Sequence, residues 1–155
     1  MVTLQNLFTQ PIFLSGVFAW FSAQFIKAVV SIFRTRGKLR KRELLLALIW
    51  TTGGMPSSHS AVVSAITAAV GIKVGFASPL FIVCFFFASL AIRDAMGVRQ
   101  AAGNQARAIN QIILELNEKF SGGHKTVKEI RGHKASEVIV GILLGIFIAV
   151  AFCTQ

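Results

Sequence analysis

Four apolar stretches, each bounded by polar residues, divide this chain of 155 residues. They run from Pro11 to Phe33, from Pro56 to about Gly75, from Phe76 to Ile92 and from Ala135 to Phe152. A helix needs about 20 mainly apolar residues to cross the hydrocarbon core of a bilayer, so these lengths predict four spanning helices. A fifth apolar run, Leu44 to Trp50, is too short to cross and predicts a short segment that dips into the membrane.

Between Gln100 and Phe120 the apolar residues recur at alternating steps of four and three. They are Ala102, Ala106, Ile109, Ile113, Leu116 and Phe120. This period predicts an amphipathic helix, which is too polar to span and should lie on the cytoplasmic surface or against the inner end of the bundle. Together the elements predict an all-α fold, a polytopic membrane helical bundle that forms a single domain over residues 1–155.

The composition agrees with a membrane protein. Hydrophobic residues make up 54% of the chain, charged residues only 14%, and the mean hydropathy is +0.68, which lies outside the usual range of a soluble domain. The N-terminus lacks the basic stretch of a cleavable signal, so we expect the first helix to be retained. Cys84 falls within the third apolar stretch and Cys153 follows the fourth, so no disulfide framework is predicted.

The placement of the basic residues predicts the topology. The net charge is +10, and 14 of the 16 lysines and arginines lie in two segments, six in residues 34–42 and eight between Arg93 and Lys134. Basic loops stay on the cytoplasmic side, so we expect a protein of the cell membrane with both basic segments in the cytoplasm and both termini outside. A functional site near the basic segments should therefore face the cytoplasm. Most of these cations should orient the chain and contact anionic lipid head groups, and no nucleic-acid partner is predicted.

Lys27 is a cation inside the first predicted span, where charge is rare and often functional. Gln24 lies one turn before it, and Arg34 follows two turns later on the same face. Both cations can therefore project from one face, and together with the other candidate residues this favours a functional role for Lys27. The alternative is that Lys27 only extends its ammonium to the membrane surface.

The segment Pro56-Ser57-Ser58-His59 begins the second predicted span. Proline is favoured in the first turn of a helix, and free backbone N–H groups at a helix start attract anions such as phosphate. His59 and the hydroxyls of Ser57 and Ser58 are therefore candidate phosphate contacts. The alternative is that a serine merely caps the helix and that His59 is an interfacial polar residue.

His133 and Glu137 begin the fourth predicted span and are four residues apart, so their side chains lie on one helical face. A carboxylate that holds one ring nitrogen fixes the histidine tautomer and makes the other nitrogen more nucleophilic. The same spacing also arises from simple capping. The pair becomes a catalytic candidate because it occurs together with His59 and Lys27.

Taken in order, these residues resemble the motifs of the type 2 phosphatidic acid phosphatases, relatives of the vanadium-dependent haloperoxidases, and especially their short divergent membrane branch. The family's first motif is Lys, six residues, Arg, Pro; Lys27 and Arg34 match it, and Thr35 replaces the proline. Its second motif is Pro-Ser-Gly-His, which corresponds here to Pro56-Ser57-Ser58-His59. The resemblance covers residues 24 to 145.

The third family motif is Ser-Arg, five residues, His, three residues, Asp, and it is only partly present. His133 matches the histidine and Glu137 replaces the aspartate, whereas threonine and valine occupy the Ser-Arg positions. The resemblance therefore implies that another cation completes the phosphate cradle. Arg99 is our first candidate and Arg131 is the reserve.

The resemblance implies a phosphatase mechanism that uses neither a metal nor another cofactor. His133 would attack phosphorus to form a phosphohistidine, Glu137 would orient it, and His59 would protonate the leaving alkoxide and then activate water. The groups expected to hold the phosphoryl oxygens are Lys27, Arg34, Arg99 and the segment around Ser57 and Ser58. Acidic residues are too few and too scattered to predict a two-metal site.

The expected substrate is a lipid phosphate monoester, such as phosphatidylglycerol phosphate or phosphatidate, because its tails can stay in the bilayer while its phosphate enters the basic cluster. Two other classes stay open: a small transporter or flippase that binds anionic lipid through the same cations, and a non-catalytic membrane scaffold. Only the enzyme needs a nucleophile such as His133. The sequence does not indicate an oligomeric state.

Overall fold

The computed structural model describes residues 4–34, 54–120, 122–129 and 132–154, and in these ranges no strand occurs. The helices are α1 (Leu4–Phe8), α2 (Pro11–Arg34), α3 (Ser58–Val74), α4 (Pro79–Arg93), α5 (Arg99–Phe120) and α6 (Ala135–Cys153), with a π-helical turn at Asp94–Val98. The prediction of an all-helical membrane bundle is confirmed.

Among the described residues, three stretches are long and apolar enough to cross a membrane, namely Pro11–Phe33, Pro79–Phe120 and Ala135–Cys153. The fourth predicted span, α3, is apolar but has only 17 residues. The predicted number of about four spans therefore agrees with three long helices and one shorter one. The dipping segment predicted at 44–50 lies outside the described residues.

Two predicted helix starts were a few residues early. Pro56 was expected in the first turn of its helix, but it precedes α3, which begins at Ser58 because the side chain of Ser57 caps it. Phe76 was expected to begin the third span, but it lies in the turn before α4. That helix begins at Pro79, where the Ser78 hydroxyl accepts a hydrogen bond from the N–H of Phe81 at 3.2 Å.

The predicted amphipathic helix is confirmed in extent, although it is not a separate element. Helix α4 continues through the π-helical turn into α5, which gives one helical stretch of 42 residues. Much of its apolar stripe is exposed, including Ile109, Leu116 and Phe120. Two asparagines bond the segment 122–129 instead. The side-chain amide of Asn110 bonds the N–H and C=O of Val127 at 2.7 and 2.9 Å, and that of Asn117 bonds the N–H and C=O of His124 at 3.0 and 2.9 Å.

Small residues at every fourth position join α2, α3 and α6. The three stripes are Ser15, Ala19 and Ala23 on α2; Ala61, Ala65 and Ala69 on α3; and Gly141, Gly145, Ala149 and Cys153 on α6, and all of these residues are buried. In a bilayer, helices associate by close van der Waals packing, which small residues permit. A Cβ at Gly141 would come 2.5 Å from the Ser57 carbonyl oxygen, and one at Gly145 would overlap the Ala61 carbonyl oxygen.

Each stripe leads to a candidate site residue at the same end of the bundle. One further step of four reaches Lys27 on α2, Ser57 before α3 and Glu137 on α6. Residues four apart share a helical face, so the face that packs the helices also directs these polar groups toward the bundle interior. We call this region, marked by Lys27, Ser57 and Glu137, the polar end.

Candidate functional site

The ammonium of Lys27 is held inside the bundle. Its Nζ donates a hydrogen bond to Ser58 Oγ at 3.1 Å, and the residue is only 6% exposed. The alternative that Lys27 extends to the membrane surface therefore does not describe this structure. A buried ammonium is costly unless it has partners, and one serine hydroxyl leaves donors available for an anionic ligand.

Ser57 links α3 to α6. Its hydroxyl accepts hydrogen bonds from the Ser60 N–H at 3.4 Å and the Ser60 hydroxyl at 3.0 Å, so it caps α3 as the simpler interpretation expected. Its own N–H donates to the Glu137 carbonyl oxygen at 2.9 Å. The side chain of Ser57 is thus used in the fold, whereas Ser58 presents its hydroxyl to Lys27.

His133 and Glu137 form a buried hydrogen-bonded pair. The His133 Nδ1 lies 3.0 Å from Glu137 Oε2, and the side chains are 5% and 14% exposed. Because a carboxylate only accepts hydrogen bonds, Nδ1 is the donor in this pair, and in the neutral imidazole Nε2 then carries the free lone pair. The same carboxylate oxygen accepts the Lys134 N–H at 3.2 Å, which fixes the carboxylate as well.

The backbone at His133 is anchored to the π-helical turn. Its N–H donates to the Ala95 carbonyl oxygen at 3.2 Å. The preceding residue, Gly132, packs so closely on α5 that an added Cβ would lie 2.7 Å from the backbone nitrogen of Gln100. π-helical turns are frequent at functional sites, and this one sets the position of His133 relative to the long helix.

Arg99 begins α5 beside the same turn and forms an ion pair with Asp94, with Arg99 Nε 3.1 Å from Asp94 Oδ2. Asp94 lies in the π-helical turn itself, so the ion pair joins that turn to the first turn of α5. The bond uses one of five guanidinium N–H donors. Because Arg99 is only partly buried, its remaining donors can meet an anion from solution.

His59 is exposed at the polar end, directly after Ser58 in the chain. Arg99, His133, Lys27 and Asp94 lie close enough to influence its ring electrostatically. Hydrogen bonds between Lys27 and Ser58, and between Ser57 and Glu137, connect the three helices around it. The structure thus brings together two cations, Lys27 and Arg99, and two imidazoles, His59 and His133, which we call the cationic cluster. Lys27 and His133 are 106 positions apart in the sequence.

Most of the predicted site residues lie together at this end. They are His133, Glu137, His59, Lys27, Ser57, Ser58 and Arg99. Arg34 is the last residue of α2, and its side chain, like Arg131, lies outside the described part of the structure.

Sequence reasoning missed two supports of His133, namely Gly132 and the carbonyl group of Ala95. A glycine directly before a candidate histidine is a signal that could have indicated a close backbone approach. Ala95 offers no such signal because its contribution is a main-chain oxygen. Gln24 is a further buried residue near Lys27, and its Oε1 has no hydrogen-bond partner among the described residues.

Comparison with known proteins gives two matches that cover nearly the whole chain. The model of a family described as the Divergent PAP2 family matches residues 8–148, which include every candidate site residue. The chain is 36% identical over 154 residues to a protein of Bacillus subtilis (strain 168) described as "Uncharacterized membrane protein YuiD", covering 92% of this chain and 94% of the relative. No solved structure matches.

Proposed function

The chain belongs to the Divergent PAP2 family, and on that premise we propose that it is a membrane phosphatase that hydrolyses a lipid phosphate monoester. The observation that carries the proposal is the buried pair of His133 and Glu137, with 3.0 Å between Nδ1 and Oε2. A protein that only binds anionic lipid needs cations, but it does not need an imidazole whose free nitrogen is activated by a carboxylate.

In the proposed first step, His133 Nε2 forms a bond to phosphorus while the bond from phosphorus to the alkoxide oxygen breaks. His59, in its protonated form, gives its proton to that oxygen, so the alcohol leaves neutral. In the second step a water molecule attacks the phosphohistidine and loses its proton to His59. The phosphorus–nitrogen bond breaks, which releases inorganic phosphate and restores His133.

The cations at the polar end would stabilise the charge on the phosphoryl oxygens. Lys27 is already directed inward by its bond to Ser58, and Arg99 is positioned by Asp94. Fixed donors that are in place before the reaction stabilise a transition state without a cost of reorganisation. Arg34, two turns beyond Lys27 on α2, would be the third cation of the cradle.

The substrate we propose is phosphatidylglycerol phosphate or phosphatidate, hydrolysed at the cytoplasmic face. The cationic cluster lies at one end of helices that are long enough to span a bilayer, so a lipid can present its phosphate there without leaving the membrane. The cytoplasmic side follows from the basic segments, since positively charged loops are retained inside.

Purified protein in detergent should release inorganic phosphate from a panel of lipid phosphate monoesters in excess chelator, because the proposed chemistry uses imidazole and not a bound metal. Vanadate, which adopts the trigonal-bipyramidal geometry of phosphoryl transfer, should inhibit. The measurement is phosphate release against lipid concentration for each head group. Absence of release from every lipid monoester, with retained lipid binding, would support a transporter and overturn the proposal.

Replacing Gly132 with alanine should lower kcat about 10²-fold, because a shift of about 1 Å in a reacting group is enough for such a loss. The added methyl group would collide with the backbone of Gln100 and push His133 away from the turn that holds it. Gly123→Ala is the matched control, since a Cβ there meets none of the described atoms within 4 Å. Equal kcat values for the two variants, with equal thermal midpoints, would contradict the positional role of Gly132.

A further inference from the structure

An apolar groove of about 530 Å³ lies between α3, α4 and α6. Its wall on α6 is formed by Ile142, Ile146 and Val150, at steps of four, so the groove runs parallel to the helix axes. On α4 the wall extends from Phe81 to Ile92. At 1.5 Å per residue these walls are about 12 and 16 Å long, and the volume is in the range of small-molecule sites.

One end of the groove adjoins the cationic cluster. Ser64, which lines the groove on α3, lies one turn beyond Ser60, the residue that bonds the capping hydroxyl of Ser57. On α4 the lining ends at Ile92, two residues before Asp94. The near end of the groove therefore lies about one helical turn from the residues at which a phosphate would bind.

Phe76 lines the other end of the groove. This residue lies in the turn that connects α3 to α4, and its ring covers Gly71 so closely that an added Cβ would be 2.5 Å from Phe76 Cε1. The ring also packs edge-to-face on Phe81, with 5.1 Å between centroids. Phe76 thus bridges the two helices across the end that is remote from the cluster.

Two of the three hydroxyl groups in the lining, those of Thr67 and Ser89, bond to backbone carbonyl oxygens. Thr67 Oγ1 donates to the Val63 carbonyl oxygen at 2.7 Å, and Ser89 Oγ donates to the Phe85 carbonyl oxygen at 2.8 Å. The groove therefore presents mainly hydrocarbon at these positions. A polar head group or a peptide would find poor partners there, whereas an alkyl chain needs none.

We propose that the groove binds one hydrocarbon chain of the lipid phosphate and that Phe76 limits the length of chain it accepts. The inference rests on the proposed function, because the chain is placed by a phosphate held at the polar end. Three features support it together: the groove starts at the cluster, follows the helix axes and has the aromatic ring of Phe76 at its far end. Phe76 is then a specificity residue remote from the reacting atoms.

The test uses phosphatidates of increasing acyl length in mixed micelles of constant composition. Phe76→Ala should raise kcat/KM for chains longer than the wild-type optimum about tenfold relative to chains at that optimum, since a hydrophobic pocket discriminates single methylenes by at least that factor. Phe87→Ala is the matched control, because Phe87 and Phe76 are both 65% exposed but only Phe76 lines the groove.

A second variant, Ile146→Trp, fills the middle of the groove and should shift the preference in the opposite direction, to shorter chains. Its control is Leu143→Trp, which adds the same side chain to a position on α6 that is 62% exposed and outside the groove. Phosphate release from the shortest, most soluble phosphatidate should be the same in both variants.

The outcomes separate the two proposals. If the wild type releases phosphate but neither variant changes the preferred chain length, the groove assignment is wrong and the phosphatase assignment stands. If Ile146→Trp lowers activity equally for every chain and light scattering shows that it dissociates an oligomer, the groove holds a second copy of the protein, which also overturns the assignment. If the wild type releases no phosphate from any chain length, the proposed function itself fails.

Discussion

His133→Ala is expected to reduce phosphate release below detection while lipid phosphate binding is retained. The variant loses the only atom proposed to bond to phosphorus, but Lys27, Ser58 and Arg99 remain in place to hold the phosphate. The measurement pairs phosphate release with equilibrium binding of a fluorescent lipid phosphate to protein in detergent. Activity equal to that of the wild type would remove His133 from the mechanism, and loss of binding together with activity would indicate a collapsed site.

Glu137→Gln tests whether the carboxylate that bonds to His133 makes this histidine a better nucleophile. Glutamine can still accept the Lys134 N–H, so the start of α6 should survive, but the charge that stabilises a positively charged ring is lost. By analogy with the carboxylate of a Ser-His-Asp triad, we expect kcat to fall by up to about 10⁴-fold. Glu118→Gln, which makes the same change at an exposed position on α5, should leave kcat unchanged.

The elements of this fold could be predicted because they depend on local composition. The apolar run from Pro11 to Phe33 matches the observed span at both ends, and α6 begins at Ala135 as expected. Boundaries set by side-chain caps were less accurate, as at Ser57 and Ser78. There the helix start depends on which hydroxyl accepts a backbone N–H, and several neighbouring residues could do so.

The sequence could indicate which residues belong to the site, but it could not predict how they are arranged. Similar charge and spacing indicated that Lys27, His59 and His133 belong together, but nothing in those spacings specified how the helices approach. The approach is set by Gly141 and Gly145 against the backbone of α3. These glycines appear in the sequence as ordinary members of an apolar run, and their effect emerges only when two helices are packed together.

The third span and the amphipathic helix were predicted as separate elements, but the helix is continuous from α4 to α5. The change from apolar to amphipathic periodicity is real, and it occurs within one helix whose register is altered by the π-helical turn at Asp94–Val98. The extra residue in such a turn changes the face that the following helix presents. On this face Asn110 and Asn117, and not the apolar stripe, bond to the returning segment.

His59→Gln is expected to slow both steps of the reaction, and the two losses can be separated by the choice of leaving group. With an alkyl phosphate, loss of a general acid should lower kcat about 10²- to 10⁴-fold. With an aryl phosphate that carries an acidic phenol and an apolar tail, the leaving oxygen needs no proton. The first step should then proceed nearly normally, whereas the second still lacks its base for water.

The expected result is therefore a burst of one phenol per protein molecule, followed by slow turnover, together with a phosphoryl group on His133 that is labile in acid and stable in base. Intact-protein mass spectrometry and peptide mapping would measure it. His124→Gln changes the exposed third histidine and should behave as the wild type. Equal losses with both leaving groups and no phosphoprotein would mean that His59 positions the substrate, because a residue that only binds phosphate cannot distinguish an alkoxide from a phenolate.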